Sequence, residues 1–112
     1  MSEDKRTARR SDMRVTISIG KIAADKKDID YIEVDVINIS ETGVGFLAKD
    51  KLDMDAFYDS VVKIENGDRI KAIIRIVRVR ERENGIFEYG AQLLGLSYAD
   101  KLKIGIFQMV ND

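Results

Sequence analysis

Apolar and polar residues alternate along most of this chain, and the alternation marks strands. Val15, Ile17 and Ile19 are separated by Thr16 and Ser18, the period-two signature of a half-buried strand. Ile32, Val34 and Val36 alternate with Glu33 and Asp35 in a second strand. The run Glu41-Thr42-Gly43 interrupts it, and a short third strand resumes over 44–48. Val61, Val62 and Ile64 mark a fourth, the β-branched stretch from Ile70 to Arg82 a long fifth, and Phe87, Tyr89, Ala91 and Leu93 a sixth. Lys26-Lys27-Asp28 reads as a turn. So do Asn66-Gly67-Asp68 and Glu83-Asn84-Gly85, because Gly and, less readily, Asn accept positive φ. Residues 50–56 form an acidic connection. Short strands joined by hairpin signals predict an all-β antiparallel barrel or sandwich.

The period changes near the end. Ser97, followed three residues later by Asp100, has the form of a helix N-cap with an acidic first turn. Tyr98, Leu102, Ile106 and Met109 recur at helical spacing, which predicts a helix covering one opening of the barrel. Gly105 costs such a helix about 1 kcal/mol relative to alanine, so packing has to hold it. At the other end, residues 1–9 carry no hydrophobic periodicity and read as a basic arm ahead of one folded unit over 10–112.

One break in the alternation stands out. Ile32, Val34 and Val36 keep the apolar set at even positions, whereas Ile37 and Ile39 put it at odd ones. A β-bulge there turns Asn38 and Ser40 outward, on one face because alternate strand residues point the same way. Local breaks of binary pattern are where function is expected.

Composition removes most chemistries. The chain has neither cysteine nor histidine, so thiolate and imidazole sites are excluded, and with them the usual zinc sites and catalytic triads. Asp50, Asp53, Asp55 and Asp59 lack the glycine and glutamate spacing of a calcium loop and read as a solvated acidic segment. No metal site and no catalytic set are expected, so the protein is not read as an enzyme. A formal net charge of −1 over 112 residues argues against a general nucleic-acid binder. Arg75, Arg78, Arg80 and Arg82 form a local basic stretch, better read as a charged strand face in water, since few aromatic residues are interleaved. No apolar run approaches the roughly 20 residues of a membrane span, and the first residues are charged, so a cytoplasmic location is expected.

Two polar groups remain as candidate chemistry. Arg10 and Arg14 sit four apart where the arm meets the first strand. Each guanidinium can grip phosphate oxygens in a bidentate fork, donate to guanine O6 and N7, or stack on a base. Asn38 and Ser40 offer an amide and a hydroxyl that can read one edge of a base, and Gly43 is expected to supply a positive φ for the turn. Each group alone reads equally well as a basic tail or a strand-ending turn. Phe87, Tyr89 and Phe107 are expected in the core.

Together these residues resemble a known family. Arg10-Ser11-Asp12-Met13-Arg14 is similar to the RxxxR motif of PilZ domains, and Asn38 to Gly43 to their (D/N)xSxxG motif, in the same order. The later stretch Tyr89-Gly90-Ala91-Gln92-Leu93-Leu94-Gly95-Leu96-Ser97 and the final helix resemble the family as well. The resemblance implies a six-stranded antiparallel β-barrel with a C-terminal α-helix that binds cyclic di-GMP. It puts phosphate and the Hoogsteen edge of one guanine on Arg10 and Arg14, the other guanine on Asn38 and Ser40, and the turn on Gly43. Arg9 resembles an arrangement that favours an intercalated ligand dimer. It also implies a shape change that signals to a downstream partner protein. Two alternatives are a barrel that only binds proteins and a small nucleic-acid-binding barrel.

Overall fold

A computed structural model describes residues 14–22 and 31–111. These residues form strands β1 (Val15–Lys21), β2 (Tyr31–Ile39), β3 (Gly43–Ala48), β4 (Phe57–Ile64), β5 (Arg69–Glu81) and β6 (Phe87–Leu94), and one α-helix, α1 (Tyr98–Asn111). All neighbouring strands are antiparallel, and the sheet closes in the order β1-β2-β3-β6-β5-β4. The strand and turn positions agree with the alternation pattern. The turn over 26–28 and the arm over 1–9, with Arg9 and Arg10, lie outside the described residues.

The barrel interior is filled by the inward set of each strand. Ile17, Phe46, Val62, Ile70, Ile74, Ile76 and Tyr89 are wholly shielded from solvent. Burial of each such side chain contributes about 1.5–3 kcal/mol, which makes this cluster the main stabilising term. Val34, Val36 and Ile39 pack against it from β2, so the apolar set does move from even to odd positions within that strand. The register shows why. Val36 faces Phe46 and Asn38 faces Gly45, which leaves Ile37 as an extra, exposed residue in a β-bulge.

The acidic connection is anchored rather than free. The Tyr89 hydroxyl donates to the Asp50 carbonyl at 2.7 Å and accepts from the Leu52 N–H at 2.8 Å. The Tyr58 hydroxyl accepts from the Asp53 N–H at 2.9 Å. Burial raises the Tyr89 pKa above the ordinary tyrosine value, against a lowering by the Leu52 hydrogen bond. Leu52 and Ala56 pack on the core, so this segment closes one end of the barrel.

Helix α1 sits toward the other end. Ser97 caps it, its Oγ accepting from the Asp100 N–H at 3.0 Å. Ile104 enters the core and Phe107 packs against it. The face named by the helical spacing is instead the exposed one: Tyr98, Leu102, Ile106 and Met109 all point to solvent. The correction has a simple cause. The helix is apolar on two opposite faces, and periodicity does not say which of them meets the barrel.

Candidate functional site

The bulge in β2 builds the first edge of the site. By putting Asn38 on the outer face, it lays the side chain across β3. A Cβ added to Gly45 would lie 2.8 Å from Asn38 Oδ1 and 3.1 Å from Nδ2, so only glycine leaves room for that amide. The same arrangement recurs across the sheet. Gly45 faces Gly90 of β6, and Gly90 faces Arg78 of β5. A Cβ at Gly90 would lie 2.9 Å from Arg78 Nη2 and 3.0 Å from Cζ. One transverse row therefore runs Asn38, Gly45, Gly90, Arg78. The amide lies over Gly45 and the guanidinium over Gly90, and both glycines are buried beneath them.

A second bulge makes the far end possible. The register of β5 against β6 shifts between Ile76 and Arg78. Ile70, Ile74 and Ile76 face inward before the shift, and Arg78 faces outward after it. Arg78 is the site residue that the motifs miss. The signal that finds it is the one used in β2: apolar residues at even positions through Ile76, then at odd positions at Val77 and Val79. No carboxylate pairs with Arg78 among the described residues, whereas Arg75 is held by Asp55 at 3.1 Å and Arg82 by Glu88 at 3.1 Å.

The turn after β2 supplies the next row. Ser40 Oγ accepts from the backbone N–H groups of Thr42 at 3.3 Å and Gly43 at 3.2 Å. The Ser40 N–H donates to the Gly43 carbonyl at 2.8 Å. Ser40 thus staples its own turn: its hydroxyl also donates to the Gly43 carbonyl at 3.5 Å and lies 3.3 Å from the Thr42 hydroxyl, so a ligand contact exchanges a long bond within the turn. Gly43 does not take a positive φ, contrary to expectation; the glycines that do are Gly67, Gly85 and Gly95. Glycine is needed at 43 for closeness instead, since a Cβ there would stand 3.1 Å from the Ala91 carbonyl oxygen.

These rows line one open groove of about 510 Å³, bounded by Asn38, Ser40, Thr42, Arg78, Gln92 and Gln108 and floored by Gly43, Gly45 and Gly90. Its lining among the described residues is rich in amide and hydroxyl groups and carries one guanidinium, that of Arg78. A planar base can stack on the Arg78 guanidinium while its edge meets the amides. Among the described residues no group of three or more acidic side chains is placed to hold a metal ion.

Arg14 stands apart from this groove. The register of β1 with β2, Thr16 opposite Asp35, carries Arg14 level with the bulge, but its side chain forms an exposed ion pair with Asp35. The hydrogen bond to Asp35, then the charge of that carboxylate, raises the already high pKa of Arg14. Its backbone is fixed reciprocally by Glu65: the Arg14 N–H donates to Glu65 Oε1 and the Glu65 N–H to the Arg14 carbonyl, both at 2.9 Å. The structure therefore brings Asn38, Ser40 and Gly43 together and leaves Arg14 to one side.

Comparison with known proteins agrees with this architecture. No curated protein matches the chain. Among solved structures, the Bacillus subtilis inhibitor of motility MotI/DgrA is similar, with a TM-score of 0.69 and 13% identity over 89% of this chain. The match spans 47% of that protein's chain, about half its length. At that identity the likeness speaks for the fold. The sequence profile of the PilZ domain matches residues 4–108. With that match over nearly the whole chain and a closed six-stranded barrel, the chain belongs to the PilZ domain family.

Proposed function

We propose that this chain is a receptor for cyclic di-GMP that signals to a downstream protein, and that it does no catalysis of its own. The observation that carries the proposal is the glycine-floored groove with Asn38 at one end and Arg78 at the other. Membership of a family of cyclic di-GMP receptors supports the choice of ligand. One guanine lies against the row that Asn38 and Arg78 form where they rest on Gly45 and Gly90. The Asn38 amide and the Ser40 hydroxyl meet its edge, and Arg78 meets a phosphate or the Hoogsteen edge from the far side.

The segment before Arg14 completes the site. Arg10 and Arg14 bind the phosphates and the second guanine, and Arg9 adds a further cation toward a stacked ligand pair. Bringing this segment over the groove joins the chain's first residues to the barrel wall. That change of surface is what a partner reads.

Calorimetric titration of the whole chain with cyclic di-GMP tests the reading. The wild type is expected to bind in the micromolar range or tighter. Arg10→Ala and Arg14→Ala are expected to lose tight binding while their thermal melts stay close to wild type. No heat at high micromolar ligand refutes the receptor reading. Two arginine variants that bind like wild type would misplace the site.

A further inference from the structure

Arg14 is placed to serve the groove by its register, yet it does not line it. Its guanidinium is taken by a carboxylate of the protein itself. Asp35 lies on the outer face of β2, before the bulge, and Asn38 lies on the same face just after it. An Arg14 side chain turned to Asp35 is therefore turned toward the other side of the bulge from the ligand groove. Both side chains are about two-thirds exposed, 67% and 63%, so the pair is free to open. No second cation meets Asp35 among the described residues. Glu33, two residues earlier on that face, is occupied with Lys63 at 3.1 Å.

We infer that Asp35 is an internal stand-in for the ligand's phosphate, which parks Arg14 outside the groove in the free protein and must be displaced for binding. This rests on the cyclic di-GMP reading above and adds a residue that sets affinity without touching the ligand. A carboxylate oxygen and a phosphate oxygen make the same charge-assisted contact with a guanidinium. The ligand must therefore compete for a cation that already has a partner. Because the pair is exposed, the competition is mild and reversible, of the size that tunes an affinity rather than closing a site. Among the described residues the free groove keeps one open cation, Arg78, and Arg14 joins it only when ligand is present.

The test is a titration of wild type, Asp35→Asn, Asp35→Glu and Glu33→Gln with cyclic di-GMP at low salt. Asp35→Asn is expected to tighten binding about two- to five-fold, the range that an exposed ion pair commands. Asp35→Glu keeps a carboxylate in reach of Arg14 and is expected to stay near wild type. Glu33→Gln removes the same unit of charge from the same face and is expected to change affinity less than two-fold. If wild type binds and Asp35→Asn binds no tighter, the parking role is overturned. Equal tightening by Glu33→Gln assigns the effect to summed surface charge and overturns it too. If no variant binds, the ligand reading itself has failed, and this inference falls with it.

Discussion

Substitution of Gly45 by alanine separates the site from the fold. The new Cβ would lie 2.8 Å from Asn38 Oδ1, 3.1 Å from Nδ2 and 3.2 Å from Cγ, so the whole amide has to move. Asn38 is exposed and its amide is the far end of a flexible side chain, so moving it strains little else. Gly45 does not have a positive φ, and alanine in a strand is worth about 0.5–1 kcal/mol over glycine. The two effects offset, and the melting temperature is expected to stay within about 5 °C of wild type. Binding is a different matter. Displacing the amide removes one or two hydrogen bonds to a base edge, each worth about 0.5–1.5 kcal/mol. A loss of about 1–3 kcal/mol is a 5- to 150-fold weaker Kd, by the roughly 1.4 kcal/mol that a factor of ten requires. Calorimetry and a thermal melt on the same preparation read both quantities. A Gly45→Ala protein that binds cyclic di-GMP within two-fold of wild type refutes the contact of Asn38 with the base.

Other expectations follow from single contacts. Arg78→Ala should weaken cyclic di-GMP binding at least ten-fold with an unchanged melt, and Arg80→Ala, one residue pair away from the row, should not; a titration of both decides it. Tyr89→Phe strands the Leu52 N–H and the Asp50 carbonyl, and should cost about 1–3 kcal/mol in urea unfolding. The raised Tyr89 pKa makes its protonated form part of the folded state. Its stabilising contribution is whole below about pH 10, the unfolded tyrosine value, and is lost as pH rises through the higher folded one. Urea midpoints that fall above pH 10 in wild type, and fall less in Tyr89→Phe, would show this. Ser97→Ala should lower stability by about 1 kcal/mol through loss of the cap on α1, read by the same urea assay.

Much of this molecule is legible in its residues, and the illegible parts have physical causes. The six strands follow from period-two alternation, and the β2 bulge from the slip between Val36 and Ile37. The β5 bulge carries the same slip between Ile76 and Val77, but a run of arginines and β-branched residues makes it look like one uninterrupted strand. Arg78 therefore reads as a solvated charge until the register places it over Gly90. Gly43 looks like a turn glycine and Gly45 like an ordinary strand residue, although what both supply is the close approach of neighbouring atoms, a relation between strands that local pattern does not carry. Ser40 reads as a ligand contact, and in the fold it first satisfies its own turn. The buried side of α1 is half hidden: Phe107 is expected in the core, but Ile104 differs from the exposed stripe only in what lies opposite it.

In the proposed complex the ligand lies against Asn38 and Arg78, which rest on Gly45 and Gly90. Amide correlation spectra of the labelled chain, titrated with cyclic di-GMP, test it most directly, because glycine amides report the floor itself. The account predicts large shifts at Gly43, Gly45 and Gly90, together with the side-chain signals of Asn38 and Arg78, and little change at Gly67 and Gly85 in the distant turns. Saturating ligand that leaves the three floor glycines unmoved, or shifts only residues elsewhere on the barrel, would contradict it.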